Sequence, residues 1–323
     1  MPETSAIVQV AAAVLLRDED FLLACRPSGK VYAGYWEFPG GKLEATETVR
    51  EALARELREE LGITVTAACP WLSRAFVYPH AHVHLHFWRV TAWTGEIGVT
   101  GPLEHSAVVW LPRHAADGLL PVSPLLPANA PILKALSLPD RMGITAAAQF
   151  GVEAELARLR RAFADGLRLV QLRDRDLPAA DRQRFAEAVM AQAQTHAARV
   201  LVSEDGTGTG EALARHLGAH GLHLTAHALR QCSTRPDFPW VGASCHNEDE
   251  LRQAEALLLD YVLLGPVLPT ASHPDTSALG WETFARLRAH YSLPVFALGG
   301  QSAATLNTAQ THGAHGIAAL RGW

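Results

Sequence analysis

The chain has 323 residues, of which 48% are hydrophobic and 19% are charged, and its formal net charge is −5 at pH 7. This length is sufficient for two domains, and the composition excludes a disordered or fibrous protein. The acidic charge argues against a nucleic-acid polymer as the main partner, because proteins that bind nucleic acids usually carry a basic excess.

The cysteines indicate a reduced compartment, and the apolar segments argue against a signal peptide or a membrane span. Cys25, Cys69, Cys232 and Cys245 lie far apart, without a CxxC pair or the spacing of zinc ligands. The apolar stretch 6–16 lacks the basic start and the cleavage site of a signal peptide, so it predicts a buried strand. No run reaches the ~18 apolar residues of a membrane span. We therefore expect a soluble, cytoplasmic protein without a membrane partner.

The first half of the chain shows short strands arranged around one strong helix. Helical periodicity extends over about residues 46–61 and ends at Gly62, which fits a left-handed C-terminal cap. A short closing helix is expected over Ala130–Leu136, followed by a linker over residues 136–142. Strands are predicted at residues 7–16, 21–24, 75–77, 83–93 and 108–111.

The strong helix carries a group of carboxylates on one face. Glu56, Glu59 and Glu60 stand at positions i, i+3 and i+4, so their side chains share that face. Such like charges repel, and the nearest cations are Arg55 and Arg58 rather than interleaved lysines. Hard oxygen ligands suit Mg²⁺, which retains waters and takes further ligands from substrate phosphates. On these residues alone, a solvated acidic face is an alternative.

The spacing of the whole segment 41–63 matches the Nudix box. That box has a glycine, five residues, Glu, seven residues, Arg-Glu, an apolar residue, any residue, Glu-Glu, any residue, Gly and an apolar residue. Every fixed position is filled, by Gly41, Glu47, Arg55, Glu56, Leu57, Glu59, Glu60, Gly62 and Ile63. The likeness extends over about residues 2–136 and resembles the MutT branch most. It implies a Nudix α/β/α sandwich over residues 1–137 that hydrolyses diphosphate bonds.

The resemblance implies roles for the residues of the box. Glu56 and Glu60 would be catalytic metal ligands, and Glu59 would be a ligand or support the attacking water. The Gly40 carbonyl would be a further ligand, because a glycine turn lets the backbone approach the ion. Mg²⁺ is the expected ion, with Mn²⁺ as an alternative. A metal-activated water would attack a bridging phosphorus in line and release a nucleoside monophosphate and pyrophosphate.

Two further features of the box and its surroundings concern the catalytic set. Arg55 would pair with a carboxylate, for which Glu47 is the candidate, and hold the helix and the loop in register. The branch carries a loop glutamate, the suspected general base, just before the tryptophan that corresponds to Trp110, and this chain has Val109 there. Glu104 is the nearest carboxylate and either substitutes as the base or is a surface loop acid.

The resemblance also implies a nucleotide pocket. Arg26 falls where the branch has a phosphate-contacting arginine. Asn129 falls where an asparagine reads the oxidised purine, and its amide offers both a donor and an acceptor. An ordinary loop or N-cap residue is the alternative for Asn129. Substrate-binding positions are expected at Arg26, Glu37, Phe38, Pro39, Gly40 and Asn129. Leu85, Phe87 and Trp88 fall within the strand that would line the base pocket.

The second half of the chain alternates apolar strands with amphipathic helices. Strands are predicted at residues 142–145, 167–172, 200–203, 221–224, 240–244, 261–264, 295–298 and 316–320. Helices are predicted at residues 153–164, 181–197, 249–258 and 282–290, with an irregular segment at 226–238. This order predicts a parallel (β/α)₈ barrel of the TIM type over residues 142–323, without a closing helix.

Residues 142–323 resemble the thiamin phosphate synthase/thiazole tautomerase family, a phosphate-binding (β/α)₈ fold. The matching segments are 170–175, 221–224, 242–246, 265–270 and 297–300. The last segment lies at the carboxyl end of a barrel strand, where main-chain amides can cradle a phosphate. The candidate contacts for a phosphorylated ligand are Gln171, Arg173, Arg175, Ser244, Thr270, Gly299 and Gly300.

The barrel departs from a synthase at the positions that would bind Mg²⁺–pyrophosphate. A synthase has Asn-Asp after the third strand, where this chain has Ser203-Glu204, and an Asp after the fourth strand, on a segment that here is 225–228. The lysine expected after the Pro-Thr pair corresponds to His273. We therefore expect a degenerate ligand-binding or structural barrel. A tautomerase-like enzyme and an active synthase are the alternatives.

Three functions follow from these resemblances. The first is an Mg²⁺-dependent hydrolase that converts 8-oxo-dGTP to 8-oxo-dGMP and pyrophosphate, which would sanitise the nucleotide pool and serve DNA repair and replication. The second is a pyrophosphatase for damaged thiamin diphosphate or its pyrimidine precursor, motivated by the attached barrel. In the third, the barrel senses a thiamin-pathway phosphate and regulates the hydrolase without catalysing a reaction.

Overall fold

A computed structural model of the chain describes residues 7–100, 104–116, 118–270 and 277–323. It divides into two compact units, Met1–Leu138 and Pro139–Trp323. Within the described ranges, no helix is both long and apolar enough to cross a membrane. His273, the expected counterpart of the synthase lysine, lies outside the described residues.

The first unit is a mixed sheet with helices on its faces. Its central strand, β1 (Val8–Arg17), pairs in parallel with β6 (Ala81–Thr94). It pairs antiparallel with β2 (Asp20–Cys25) and with β4 (Gly40–Lys42). The described strands are β1 (Val8–Arg17), β2 (Asp20–Cys25), β3 (Trp36–Glu37), β4 (Gly40–Lys42), β5 (Thr64–Tyr78), β6 (Ala81–Thr94) and β7 (Ala107–Pro112). The helices are α1 (Val49–Leu61) and α2 (Ala130–Leu136), with 3₁₀ turns at Arg113–Ala115 and Pro127–Asn129.

Side-chain alternation along the central sheet produces two apolar layers. On β1, Ala11, Ala13 and Leu15 pack in the cluster that includes Leu53, Leu57 and Leu61 of α1. Ala12 and Val14 pack in the opposite cluster with Phe38, Phe87, Ile132 and Leu136. The predicted α/β/α sandwich is confirmed. Trp88 packs with the α1 cluster, whereas Leu85 and Phe87 belong to the other layer.

The strong helix begins three residues later than the sequence pattern indicates. Residues 44–47 form a turn, in which the Glu47 amide donates to the Glu44 carbonyl at 3.1 Å. Thr48 then caps α1 in a capping box with Glu51. At the other end, Gly62 has a φ of 73° and its amide donates to carbonyls of the last turn, as expected for a left-handed cap.

Strand β5 is much longer than the three residues predicted for it. It extends over 15 residues and pairs antiparallel with β6. Register shifts between Val65 and Ala67, between Ala67 and Ala68, and between Pro70 and Leu72 interrupt the pairing. Each shift breaks the alternation of apolar and polar residues, which is why the pattern concealed most of the strand.

The second unit is a closed barrel of eight parallel strands, which confirms the predicted (β/α)₈ fold. The strands are β8 (Arg141–Ile144), β9 (Leu169–Leu172), β10 (Arg199–Glu204), β11 (Gly221–Leu224), β12 (Trp240–Cys245), β13 (Tyr261–Leu264), β14 (Val295–Leu298) and β15 (Gly316–Ala319). The helices are α3 (Ala147–Phe150), α4 (Val152–Ala164), α5 (Ala179–Thr195), α6 (Thr209–Leu217), α7 (Ala226–Gln231), α8 (Glu248–Ala256), α9 (Gly280–Arg288) and α10 (Leu306–Thr311), with a 3₁₀ turn at Ala303–Thr305. The irregular segment is the short helix α7, and the described residues after β15 form no closing helix.

Candidate active site and ligand cavity

The carboxylates of α1 face strand β4 at its two glycines. The amide of Gly40 donates to Glu60 Oε2 at 2.9 Å. Gly40 has a φ of 140°, and a Cβ at this residue would overlap the carbonyl oxygen of Ala11. A Cβ at Gly41 would overlap the carboxylate of Glu56. Both glycines are therefore required for the close approach of α1 and β4. Because they lack side chains, their backbone lies directly beside the carboxylates of Glu56 and Glu60.

Glu60 is a buried carboxyl group among other acids. It is only 5% exposed. Burial is the largest cause that raises its pKa to about 9; the hydrogen bond from Gly40 opposes this shift, and the charges of Glu56 and Glu37 add to it. A cation at this position would favour the ionised form. The local chemistry therefore suits a positively charged ligand.

The donor set fits an open divalent-cation site. Glu56 and Glu60 converge on the backbone of Gly40 and Gly41. Across the described residues, no three His, Cys, Asp or Glu side chains form a ready metal-binding group. Mg²⁺ needs no such closed group, because it retains waters and takes phosphate oxygens from the substrate. The two carboxylates beside this backbone therefore fit an open site for a divalent cation.

Arg55 connects the preceding loop to the acidic face, as the sequence indicates. Its Nε and Nη2 donate to the two carboxylate oxygens of Glu47 at 2.7 and 2.9 Å. Its Nη1 donates to Glu56 Oε1 at 2.8 Å. The hydrogen bond from Arg55 is the largest cause that lowers the pKa of Glu47 to about 2. Glu59 is 58% exposed and its Oε2 lies 3.6 Å from Arg55 Nη1, so it stands at the outer edge of this network.

Two neighbouring residues in the loop before β7, Glu104 and His105, differ in their burial. Glu104, the candidate base, is partly exposed and accepts from Lys30 Nζ at 2.9 Å. His105 is fully buried, with Nε2 3.6 Å from Glu37 Oε1 and Nδ1 3.9 Å from Glu60 Oε1. Its Nδ1 has no hydrogen-bond partner in the described structure. Sequence reasoning missed His105, and its only signal was its position beside Glu104.

Several residues expected to bind substrate lie within β3 or next to it in the chain. Arg26 Nη1 donates to both carboxylate oxygens of Glu37, at 2.8 and 2.7 Å, and its Nε donates to the Val31 carbonyl at 2.8 Å. Phe38 is buried, and its ring contacts that of Phe87 with centroids 5.8 Å apart. Phe38 is thus part of the core. Pro39 is also buried.

Asn129 is buried at the start of α2, beside β3. Its Nδ2 donates to the carbonyl of Trp36 at 3.3 Å, and its side chain makes no capping hydrogen bond to the helix. The position is that of an N-cap, but the amide does not serve as one. The structure therefore places the amide next to the backbone that leads into Glu37.

A group of aromatic rings lies near Glu37 and the segment before α2. We call this group the aromatic wall, and its members are Tyr32, Tyr35, Phe76, Tyr78 and His80. Its ring centroids lie 5.1 Å apart for Tyr32 and Tyr35, 5.6 Å for Tyr32 and Tyr78, and 5.5 Å for Tyr78 and His80. Burial and the charge of Glu37 raise the pKa of Tyr78, which also has a backbone hydrogen bond with Ala128. The wall therefore borders both Glu37 and the segment that carries Asn129.

The barrel contains a cavity of about 980 Å³ at the carboxyl ends of its strands. All the sequence-predicted contact residues line it: Gln171, Arg173, Arg175, Ser244, Thr270, Gly299 and Gly300. Further polar lining comes from Ser203, Asp205, His227, His246, Gln301 and Arg321. Ser244 Oγ also lies 2.9 Å from His223 Nε2, and His223 Nδ1 lies 2.8 Å from the Tyr261 hydroxyl below.

The acid that follows the third barrel strand is engaged by its own loop. Glu204 Oε1 accepts from the amides of Gly206 and Gly208 at 2.6 and 2.9 Å, and Oε2 accepts from the Glu211 amide at 2.9 Å. On the next segment, Thr225 caps α7 and no acid is present. The described residues therefore do not fit the Mg²⁺–pyrophosphate site of a synthase.

Comparison with known proteins relates each unit to a family. A family model described as "NUDIX domain" matches residues 8–136, and one described as "Thiamine monophosphate synthase" matches residues 142–322. The chain is 42% identical to a CTP pyrophosphohydrolase of Escherichia coli, over 40% of this chain and 90% of that protein. It is 38% identical to an 8-oxo-dGTP diphosphatase of Haemophilus influenzae, over 40% of this chain and 91% of that protein. It is 29% identical to a putative thiamine-phosphate synthase 2 of Aquifex aeolicus, over 57% of this chain and 97% of that protein.

One chain therefore combines two units. In the first, a helix that carries carboxylates lies beside a glycine strand, and the second is a parallel barrel whose cavity is lined by polar, charged and apolar side chains. The chain belongs to the Nudix family in its N-terminal part, where it is a MutT-like hydrolase, and to the thiamine monophosphate synthase family in its C-terminal part.

Proposed function

We propose that the Nudix unit is an Mg²⁺-dependent pyrophosphohydrolase of nucleoside triphosphates. The observation that carries this proposal is the convergence of Glu56 and Glu60 on the Gly40-Gly41 backbone. Relatives that share 38–42% identity over this unit are named for the hydrolysis of nucleoside triphosphates. The products would be a nucleoside monophosphate and pyrophosphate.

Each residue of the site has a task in this reaction. Glu56, Glu60 and the Gly40 carbonyl would hold Mg²⁺, or Mn²⁺ in its place, and Glu59 would join from the outer edge. When bound, the ion lowers the pKa of the attacking water and neutralises phosphate charge. Arg55 holds Glu56 in place by the 2.8 Å hydrogen bond. The Gly40 amide orients Glu60, which leaves its second oxygen for the ion.

Glu104 is our candidate for the group that accepts the proton of the attacking water. It is solvent-accessible and paired with Lys30, whose charge also lowers the pKa of the nearby Glu60. Acting as a base requires this exposed pair to open, which costs little because surface ion pairs are worth only about 0–1 kcal/mol. His105 lies between Glu37 and Glu60 and would position those carboxylates.

We propose an oxidised purine nucleotide as the substrate, with 8-oxo-dGTP converted to 8-oxo-dGMP. The buried Asn129 amide would pair with the altered edge of the base, since one amide supplies a donor and an acceptor. Arg26 would contact the phosphates from its position beside Glu37. The aromatic wall would offer rings against which the base can stack. A pyrimidine triphosphate is the second candidate, because one relative at 42% identity is a CTP pyrophosphohydrolase.

Hydrolysis of a panel of substrates tests this assignment. It is measured as pyrophosphate released from the nucleotides and as orthophosphate released from thiamin diphosphate, whose P–O–P bond yields thiamin monophosphate. The full chain is assayed with 8-oxo-dGTP, dGTP, CTP and thiamin diphosphate, with Mg²⁺ and with EDTA, and with Glu60→Gln as the inactive reference. We expect 8-oxo-dGTP to have the highest kcat/KM. Equal values for 8-oxo-dGTP and dGTP would remove the oxidised purine, and a preference for CTP or for thiamin diphosphate would assign the alternative.

We also propose that the barrel binds a phosphorylated ligand and does not act as a thiamin phosphate synthase. The support is a cavity lined by the expected contact residues, together with the Glu204 carboxylate, whose oxygens already accept hydrogen bonds from nearby backbone amides. Synthase turnover by the full chain with thiazole phosphate, the pyrimidine diphosphate and Mg²⁺ would contradict this proposal.

A further inference from the structure

An ion pair between Lys30 and Glu104 connects two loops at one end of the Nudix sheet. Lys30 lies in the loop between β2 and β3, and Glu104 lies in the loop before β7. Cys25, at the end of β2, pairs with Trp36 of β3 and with Ala107 of β7, so both loops begin or end beside the same residue. Lys30 Nζ donates to Glu104 Oε2 at 2.9 Å and therefore bridges the two loops.

This ion pair lies near the acidic residues of the candidate metal site. The positive charge of Lys30 lowers the pKa of Glu60, which opposes the effect of burial on that group. His105 follows Glu104 directly in the chain, and its ring nitrogens lie 3.6 Å from Glu37 Oε1 and 3.9 Å from Glu60 Oε1. Lys30 is therefore a cation close to the place where the phosphates of a nucleotide would lie.

Lys30 is held less firmly than the two arginines of the site. Arg26 and Arg55 each donate to both oxygens of one partly buried carboxylate, and such paired contacts are the stronger ones. Lys30 contacts the Glu104 carboxylate through a single nitrogen, and the two side chains are 39% and 43% exposed. An exposed pair of this kind contributes little to stability. Lys30 can therefore change its partner at a small cost in free energy.

We infer that Lys30 leaves Glu104 for the triphosphate when a nucleotide binds, and that this exchange frees Glu104 to act as the base. The inference rests on the proposed hydrolase function. The lysine ammonium is a compact charge with three donors, which suits phosphate oxygens. The proton of the attacking water then passes to the free Glu104 carboxylate. The water oxygen bonds to phosphorus, and the bridging P–O bond breaks with pyrophosphate as the leaving group.

Equilibrium binding to the full chain tests the contact with the phosphates. The probes are the α,β-imido analogues of dGTP and CTP with Mg²⁺, which share the triphosphate and differ in the base. Lys30→Gln should weaken the binding of both analogues by about tenfold, as loss of a charge-assisted hydrogen bond implies. Lys30→Arg should retain most of the affinity. Arg50→Gln removes an exposed positive charge from α1 and should leave the affinity unchanged.

The lysine side chains give a direct readout of the exchange. Lys30, Lys42 and Lys134 are the only lysines of the sequence, so ¹³C-labelled lysine gives three Cε signals in NMR spectra, and Lys30→Arg assigns one of them. In the free protein, Glu104→Gln should shift the Lys30 signal. In the complex with the dGTP analogue, the wild type and Glu104→Gln should have the same Lys30 shift, because Lys30 no longer contacts residue 104.

The outcomes separate this inference from the proposed function. If Lys30→Gln binds both analogues as tightly as the wild type, the pair only joins the loops and the inference is wrong. It is also wrong if Glu104→Gln shifts the Lys30 signal as much in the complex as in the free protein. In both cases, binding of the analogues by the wild type would leave the hydrolase proposal standing. If the wild type binds neither analogue, both proposals fail.

Discussion

Glu60 of α1 accepts a 2.9 Å hydrogen bond from the backbone amide of Gly40 on β4. This single contact joins the helix that carries the acidic residues to the glycine strand that precedes it. The hydrogen bond fixes one oxygen of a buried carboxylate whose pKa is raised by burial and by neighbouring acids. The account of the Nudix unit depends on this arrangement, in which a backbone hydrogen bond holds the buried Glu60 side chain beside the glycine strand.

Glu60→Gln should abolish most of the activity and leave the fold intact. The amide oxygen can still accept from Gly40, but the charge that would bind the ion is lost. We expect kcat to fall by at least about hundredfold, since even partners of metal ligands cost 10–100-fold. Added Mg²⁺ should raise the Tm of the wild-type chain and not that of the variant. Arg50→Gln, an exposed change on the same helix, is the control, and equal activities would contradict the role of Glu60.

Arg55→Lys should reduce kcat more than it changes KM. Lysine keeps the charge but cannot make the paired contacts to Glu47 and the additional contact to Glu56. We expect a loss of about 10–100-fold in kcat because Glu56 is no longer held in place. Steady-state kinetics at saturating Mg²⁺ measure the split. An unchanged kcat would show that Arg55 does not position the site.

The carboxylate helix shows which part of the site the sequence could predict. Arg55, Glu56 and Glu60 lie within two turns of one helix, so local spacing alone brings them together. His105 lies against Glu37 and Glu60 only because of long-range packing, and no local pattern marks it. The aromatic wall likewise joins residues of separate segments.

The secondary-structure elements show the same difference between what local sequence determines and what long-range packing determines. Regular barrel strands placed all the expected contact residues in one cavity, because the carboxyl ends of parallel strands meet. The bulges of β5 and the turn at residues 44–47 depend on pairing partners and on side-chain hydrogen bonds. A periodicity argument could not place their limits.

Asn129→Ala should reduce discrimination between 8-oxo-dGTP and dGTP. The variant loses the amide that would read the oxidised base but keeps the metal site, so basal Mg²⁺-dependent cleavage should persist. A lost hydrogen bond to a buried partner is worth about 1–3 kcal/mol, which corresponds to roughly 5–150-fold in relative kcat/KM. The ratio of kcat/KM for the two nucleotides is measured alongside the Tm. An unchanged ratio in a folded variant would exclude Asn129 from base recognition.

Tyr78→Leu should raise the KM for nucleotides with little change in kcat. Stacking of a base on an aromatic ring is worth about 1–3 kcal/mol, and leucine retains the apolar contact without the ring face. Val77→Ala, an exposed change on the same strand, is the matched control. If both variants behave like the wild type, the aromatic wall does not contact the base.

The barrel should lose stability as the pH falls below about 6.5. Burial lowers the pKa of His223 to about 3 in the folded state. Between these values the unfolded chain binds the additional proton, so stability falls with decreasing pH by up to about 1.4 kcal/mol per pH unit. Hydrogen exchange of strands β11 and β13 in the full chain measures the slope. His223→Gln, which keeps hydrogen-bonding groups but does not titrate, should flatten the slope, and an equal slope would contradict the assignment.

The central claim is that Glu56 and Glu60 bind a divalent cation beside the triphosphate of a nucleotide. A crystal structure with Mn²⁺ and a non-hydrolysable nucleoside triphosphate tests it directly, because Mn²⁺ is located by its anomalous signal. We expect the ion within coordination distance of both carboxylates and of the Gly40 carbonyl, with phosphate oxygens completing its shell. A bound nucleotide with no ion at this face of α1 would contradict the claim.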